Sequence, residues 1–112
     1  MPVFEPAKAA FLSGDWDLFA ELATPLIPDG PEAFGPTLNQ LKVTFPNGFA
    51  SCQTILSRAD KGGLVQEITT FNIPGVQGPM SLYLLASPVR GELAISYFYL
   101  NTAMRDVFEK LL

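Results

Sequence analysis

Met80–Leu100, MSLYLLASPVRGELAISYFYL, is the most apolar run in the chain, and the fold turns on how it is read. Its turn-forming residues are confined to the middle, Ser87-Pro88-Val89-Arg90-Gly91, so the run predicts two antiparallel strands joined by a short loop. A strand with one wet face alternates polar and apolar residues. Here both parities are largely apolar: Leu93, Ile95, Tyr97 and Tyr99 on one, Ala94, Phe98 and Leu100 on the other. The hairpin therefore demands cover on both sides, and a sandwiched sheet is expected.

Working back from this hairpin, turn signals divide the preceding chain. Asn72–Pro79, NIPGVQGP, is a loose turn, and Leu64–Phe71 before it reads as a strand. Asp60-Lys61-Gly62-Gly63 is a hairpin signal because its glycines accept positive φ, and Phe49–Arg58 supplies the strand on its other side. Leu41, Val43 and Phe45 alternate with Gln40, Lys42 and Thr44, so a further strand is expected from Leu38, ending at the Pro46-Asn47-Gly48 turn. Residues 38–100 thus read as a meander of about five strands.

Residues 25–37, PLIPDGPEAFGPT, carry four prolines and read as a connection, with Leu26, Ile27 and Phe34 packing it onto the domain. Residues 4–24 read as two short helices broken at Ser13-Gly14. In the first, Pro6 suits the opening turn, Glu5 complements the dipole, and Ala7, Ala10 and Phe11 share a face. In the second, Asp15 caps a stripe of Trp16, Phe19, Ala20 and Ala23, and Pro25 and Pro28 stop it. At the other end, residues 101–112 predict a helix with Met104, Val107, Phe108 and Leu111 on its apolar side, capped by Asn101 or Thr102 and carrying Asp106–Lys110 and Arg105–Glu109 charge pairs.

These elements make one α+β domain over residues 1–112: N-terminal helices packed on an antiparallel sheet, and a C-terminal helix nearby. The length suits a single core. Composition narrows the function. A net charge of -4 with no basic run argues against a nucleic-acid partner, which needs Lys and Arg to neutralise phosphates. No uninterrupted apolar run approaches the roughly 20 residues of a membrane-spanning helix. With no charged-then-apolar leader and a single cysteine, Cys52, a soluble cytoplasmic protein is expected.

Histidine is absent. That removes the commonest general base and the commonest metal ligand together, so no catalytic residue, metal site or cofactor is assigned. Asp15 and Asp17 read as helix-start residues, and Cys52 lacks a histidine to activate it. The candidate ligand-lining residues are Arg58 and Glu67, near each other across a hairpin of four loop residues, with Tyr97 and Tyr99. The candidate interface residues are Tyr83, Leu85, Phe98 and Leu100.

The segment AAFLSGDWDLFAELA, residues 9–23, followed by a strand meander, resembles the nuclear transport factor two-like superfamily, also called SnoaL-like or cystatin-like. The resemblance implies a strongly curved sheet wrapped around the helices, often with a conical pocket, and dimerisation through the outer sheet face. The chain departs from that pattern in its short proline-rich segment where larger members place a third helix and an extra strand, in its closing helix, and in lacking His or Asp in the central strands. Two functions follow as expectations. The first is a non-enzymatic module acting through a protein interface, as an adaptor, inhibitor or immunity-type protein, and forming a homodimer. The second is a small-molecule binder or enzyme with a pocket between helices and sheet, recognisable by a cavity of roughly 300 Å^3 or more that contains a charged group.

Overall fold

The computed structural model describes residues 1–27 and 30–112, apart from the side chain of Pro31. Pro28, expected to help stop the second helix, lies outside the described residues. Helices α1 (Glu5–Ser13) and α2 (Trp16–Ala23), a single helical turn α3 (Gly30–Ala33) and helix α4 (Gly35–Thr44) precede four strands. These are β1 (Ser51–Ala59), β2 (Val65–Asn72), β3 (Met80–Val89) and β4 (Glu92–Asn101), and a short helix α5 (Met104–Phe108) follows. The sheet is an antiparallel meander in the order β1-β2-β3-β4.

The fold is α+β with an antiparallel sheet, but among the described residues the sheet has four strands where about five are expected. The missing strand is α4. Its alternating Leu41, Val43 and Phe45 also belong to a second pattern, because Phe34, Leu38, Leu41 and Phe45 recur at i, i+4, i+7 and i+11, a helical stripe. Pro36 occupies the first turn, where a missing N–H costs nothing. Packing decides between the patterns: Leu38 and Leu41 are buried, whereas Val43 is 83% exposed.

Gly14 ends α1 in the left-handed conformation, φ 80°, and its N–H returns to the end of α1. It also lies against Gly48, φ 72°. A Cβ on Gly48 would sit 2.1 Å from the carbonyl oxygen of Leu12, and Phe49 N–H donates to that same oxygen at 2.9 Å. This close approach ties the α1–α2 junction to the segment entering β1. Asp15 caps α2 by accepting from Leu18 N–H at 3.4 Å.

Helices α1, α2 and α4 cover one face of the sheet. Phe11 is the hub there, with ring centroids 5.0 Å from Trp16, 5.0 Å from Phe19 and 4.6 Å from Phe71. Leu82, Leu84 and Ala86 of β3 meet this layer. The other face is covered by α5, whose Val107 packs with Ile68 and Tyr83. Thus β3 is dry on both sides, whereas β4, whose residues carry the expectation of cover front and back, keeps Leu93 and Tyr97 exposed. The C-terminal helix is shorter than the expected 101–112; Asn101 Oδ1 accepts from Ala103 N–H at 2.9 Å, and Lys110 sits over the ring of Tyr99.

Candidate functional site

Strand β2 carries a polar cluster on each side. On the helix side, Glu67 is 1% exposed and Lys8, from α1, is 7% exposed. Lys8 Nζ donates to Glu67 Oε1 at 2.8 Å and to Thr54 Oγ1 at 2.7 Å. The other carboxylate oxygen accepts from the Met1 amino group at 2.6 Å and from Ser57 Oγ at 3.1 Å. Burial by itself would raise the Glu67 pKa, but hydrogen bonds from Lys8, the Met1 amino group and Ser57, with the Lys8 charge, hold it below the ordinary carboxylate value. Burial likewise works to lower the Lys8 pKa, and its bonds and attraction to Glu67 and Glu5 outweigh that and raise it. Both groups stay charged at neutral pH and satisfy each other.

On the α5 side, Gln66 is fully buried. Its Oε1 accepts from Tyr83 Oη at 2.7 Å and from Leu112 N–H at 2.9 Å, while its Nε2 donates to Asp60 Oδ2 at 2.5 Å. Arg58 pairs with Asp60, Nε to Oδ1 at 2.9 Å, and donates to the carbonyl oxygen of Leu112. Burial pushes the Tyr83 phenol up to about 12, with Tyr97 adding to the rise and Arg58 opposing it. Every polar group in this knot has a partner within the chain, so the arrangement fastens the C-terminal segment to the sheet.

Arg58 and Glu67 are therefore not companions. The connection between Ala59 and Val65 contains residues 60–64, with Asp60 N–H donating to Leu64 O at 2.7 Å, which pairs Arg58 with Gln66 and Ser57 with Glu67. That is one residue longer than the expected loop, and a slip of one residue moves a side chain to the opposite face. Tyr97 and Tyr99 share the α5 side with Arg58. Tyr97 is 39% exposed with its ring 6.0 Å from that of Tyr83, and Tyr99 Oη accepts from Asn101 Nδ2 at 2.9 Å. No described cavity unites the four.

Of the interface candidates, Tyr83 is fully buried beneath α5 and offers no surface, and Leu85 is half-buried beside it. Phe98 and Leu100 lie on the helix side, packed against the main core. Among the described residues the clefts are peripheral. One of about 370 Å^3 runs between the α2–α3 connection and β4, lined by Leu26, Phe34, Tyr97 and Phe98. Another, of about 380 Å^3, lies between α4 and the ends of β3 and β4, with Gln40 and Asn101 on its rim. Among the described residues neither is lined by a charged side chain, so the described lining does not supply the charged group expected of a catalytic or ligand pocket.

Sequence reasoning passed over Lys8 and Gln66. Lys8 was detectable: with Phe4, Ala7 and Phe11 it completes an i, i+3, i+4, i+7 stripe, so a cation sits where the helix buries itself. Gln66 carries no such signal, because its burial depends on α5 folding back across the sheet. Among the described residues no group of three or more acidic, cysteine or histidine side chains converges to hold a metal ion. Among the described residues no helix is long and apolar enough to cross a membrane. The chain matches no protein-family model and no curated protein sequence.

Proposed function

We propose that this protein is a non-catalytic binding module that acts through a protein interface centred on the outer edge of β4. The observation that carries the reading is the character of that edge. Strand β4 ends the sheet, runs for ten residues, and has one charge, Glu92, at its first position. Leu93 and Tyr97 are 42% and 39% exposed along it. Unpaired backbone donors and acceptors beside apolar side chains are what a partner strand recognises. The buried Lys8, Glu67 and Gln66 are engaged in internal bonds, which leaves little for catalysis.

The nuclear transport factor two-like relationship, a cytoplasmic setting and a homodimer belong to the same reading. The α1-Gly-Asp-α2 junction supports the first, as does α4, which stands where larger members of that superfamily carry a third helix. The exposed thiol of Cys52 suits a reducing compartment. The expected dimer contact changes, because α5 already covers β3 on the outer face; the β4 edge is the better contact.

Site-specific photo-cross-linking in cells tests the module. A benzophenone side chain at position 93 or 97 is expected to form protein adducts, and one at the exposed helical position 43 is not. Absence of adducts from 93 and 97, with native mass spectrometry showing a stoichiometric small molecule retained by the protein, would overturn the reading in favour of a ligand-binding pocket.

A further inference from the structure

The face pattern of β4 is self-complementary. A bulge lies where the register shifts between Leu85 and Ala86 of β3: Ala86 pairs with Ile95 and Leu85 with Tyr97, so Ser96 is the extra residue. The bulge switches parity. Ile95, Phe98 and Leu100 join the helix-side core, and Leu93 lines a cleft with Ala7 and Leu22 on that side. Tyr97 and Tyr99 pack on the α5 side. An antiparallel alignment of two β4 strands that sets Leu93 opposite Leu100 also sets Ile95 opposite Phe98, and so matches helix side to helix side. It meets bulge to bulge about the twofold axis, whereas an unbulged strand would match faces over only half the length.

Resting on the interface reading above, we infer that the partner at this edge is a second copy of the chain, joined through antiparallel β4–β4 pairing into one continuous eight-stranded sheet. Charge favours it. The only charged residue of the strand, Glu92, falls opposite Asn101, and the two Glu92 side chains stand at opposite ends, roughly 30 Å apart at 3.4 Å per residue. No like charges meet along a ladder formed between two acidic chains. The alternative edge, β1, also has a bulge and one exposed large apolar residue, Ile55, but Ile55 stands among exposed Ser51, Gln53 and Ser57, and the Ser51 and Ser57 hydroxyls already bond to Asn72 and Glu67 of β2. Pairing β4 with β1 of another copy would in addition be head-to-tail and leave open ends, whereas β4 with β4 closes as a dimer.

The test uses sedimentation equilibrium on the intact chain, with Leu93→Lys and Tyr97→Lys as edge variants and Val43→Lys as control. Both edge positions are exposed, so circular dichroism should show an unchanged fold. Each is expected to weaken dimerisation roughly tenfold or more, the effect of lysine on an apolar strand edge, and Val43→Lys to leave it unchanged. Independently, Leu93→Cys with Leu100→Cys in a Cys52→Ser background should form intermolecular disulfides on mild oxidation. A dimer that persists in both lysine variants, or a failure of the 93–100 cross-link, overturns the inference. A strict monomer whose position 97 cross-links to a different protein also overturns it, and the homodimer with it, while β4 as an interface for another protein stands.

Discussion

The two faces of the sheet are stabilised in different ways. Beneath the helices lies a broad aromatic core centred on Phe11, and at its margin a buried ion pair, Lys8–Glu67. Beneath α5 lies a smaller patch, Ile68, Tyr83 and Val107, joined to the Gln66 network, in which the buried groups are neutral and the charged Arg58 and Asp60 keep some exposure. The difference teaches where the chain can tolerate loss. A large apolar layer can carry a desolvated charge pair that excludes water from its edge. A thin layer under a five-residue helix depends on hydrogen bonds to hold the helix down.

Breaking the helix face should cost most. Phe11→Ala removes a fully buried ring touching several others and is expected to destabilise by about 4 kcal/mol in urea unfolding, against about 2 kcal/mol for Val107→Ala on the α5 face. Equal losses would show that the two layers are not of different strength. Next comes the ion pair. Glu67→Gln leaves the buried Lys8 with only the exposed Glu5 carboxylate, 3.2 Å away, as counter-charge and should cost about 3 kcal/mol, whereas a paired Lys8→Met, Glu67→Leu replacement should restore most of it. If the double variant is as unstable as the single one, the charges are not compensating each other.

Acid and base sharpen the same contrast. Because the folded pKa of Glu67 is lowered, its contribution is complete above the ordinary carboxylate value of 4.5 and disappears as pH falls through the lower folded value. Because that of Lys8 is raised, its contribution is complete below 10.5 and disappears as pH rises through the higher folded value. Melting temperature measured against pH should therefore fall at both ends, and the acid limb should be shallower in Glu67→Gln. The smallest effect is expected from Tyr83→Phe, about 1 kcal/mol, since Gln66 Oε1 keeps its bond from Leu112 N–H. Hydrogen exchange in α5 should rise in this variant and stay unchanged in α1.

Much of this architecture was legible beforehand. Asp15 and Gly14 marked the α1–α2 break because a cap and a left-handed residue are local requirements. The β3–β4 hairpin was legible because its only turn residues lie at its centre and both of its faces are apolar. The 38–45 segment misled because Leu41, Val43 and Phe45 satisfy a period of two while Phe34, Leu38, Leu41 and Phe45 satisfy a helical one. The Arg58–Glu67 pairing failed on one residue of loop length, and Lys8 was overlooked because a single cation in a short helix reads as solvated.

Sequence alone determined the order of the turns and caps and the demand of the β3–β4 hairpin for cover, met fully in β3 and only partly in β4, since these follow from backbone chemistry and residue polarity within a few positions. Tertiary structure alone decided that 35–44 coils, that Glu67 faces Lys8 while Arg58 faces Asp60, and that α5 closes the second face. Those choices depend on register and layer packing, where a shift of one residue exchanges the two sides of a strand and only the whole core can select between them.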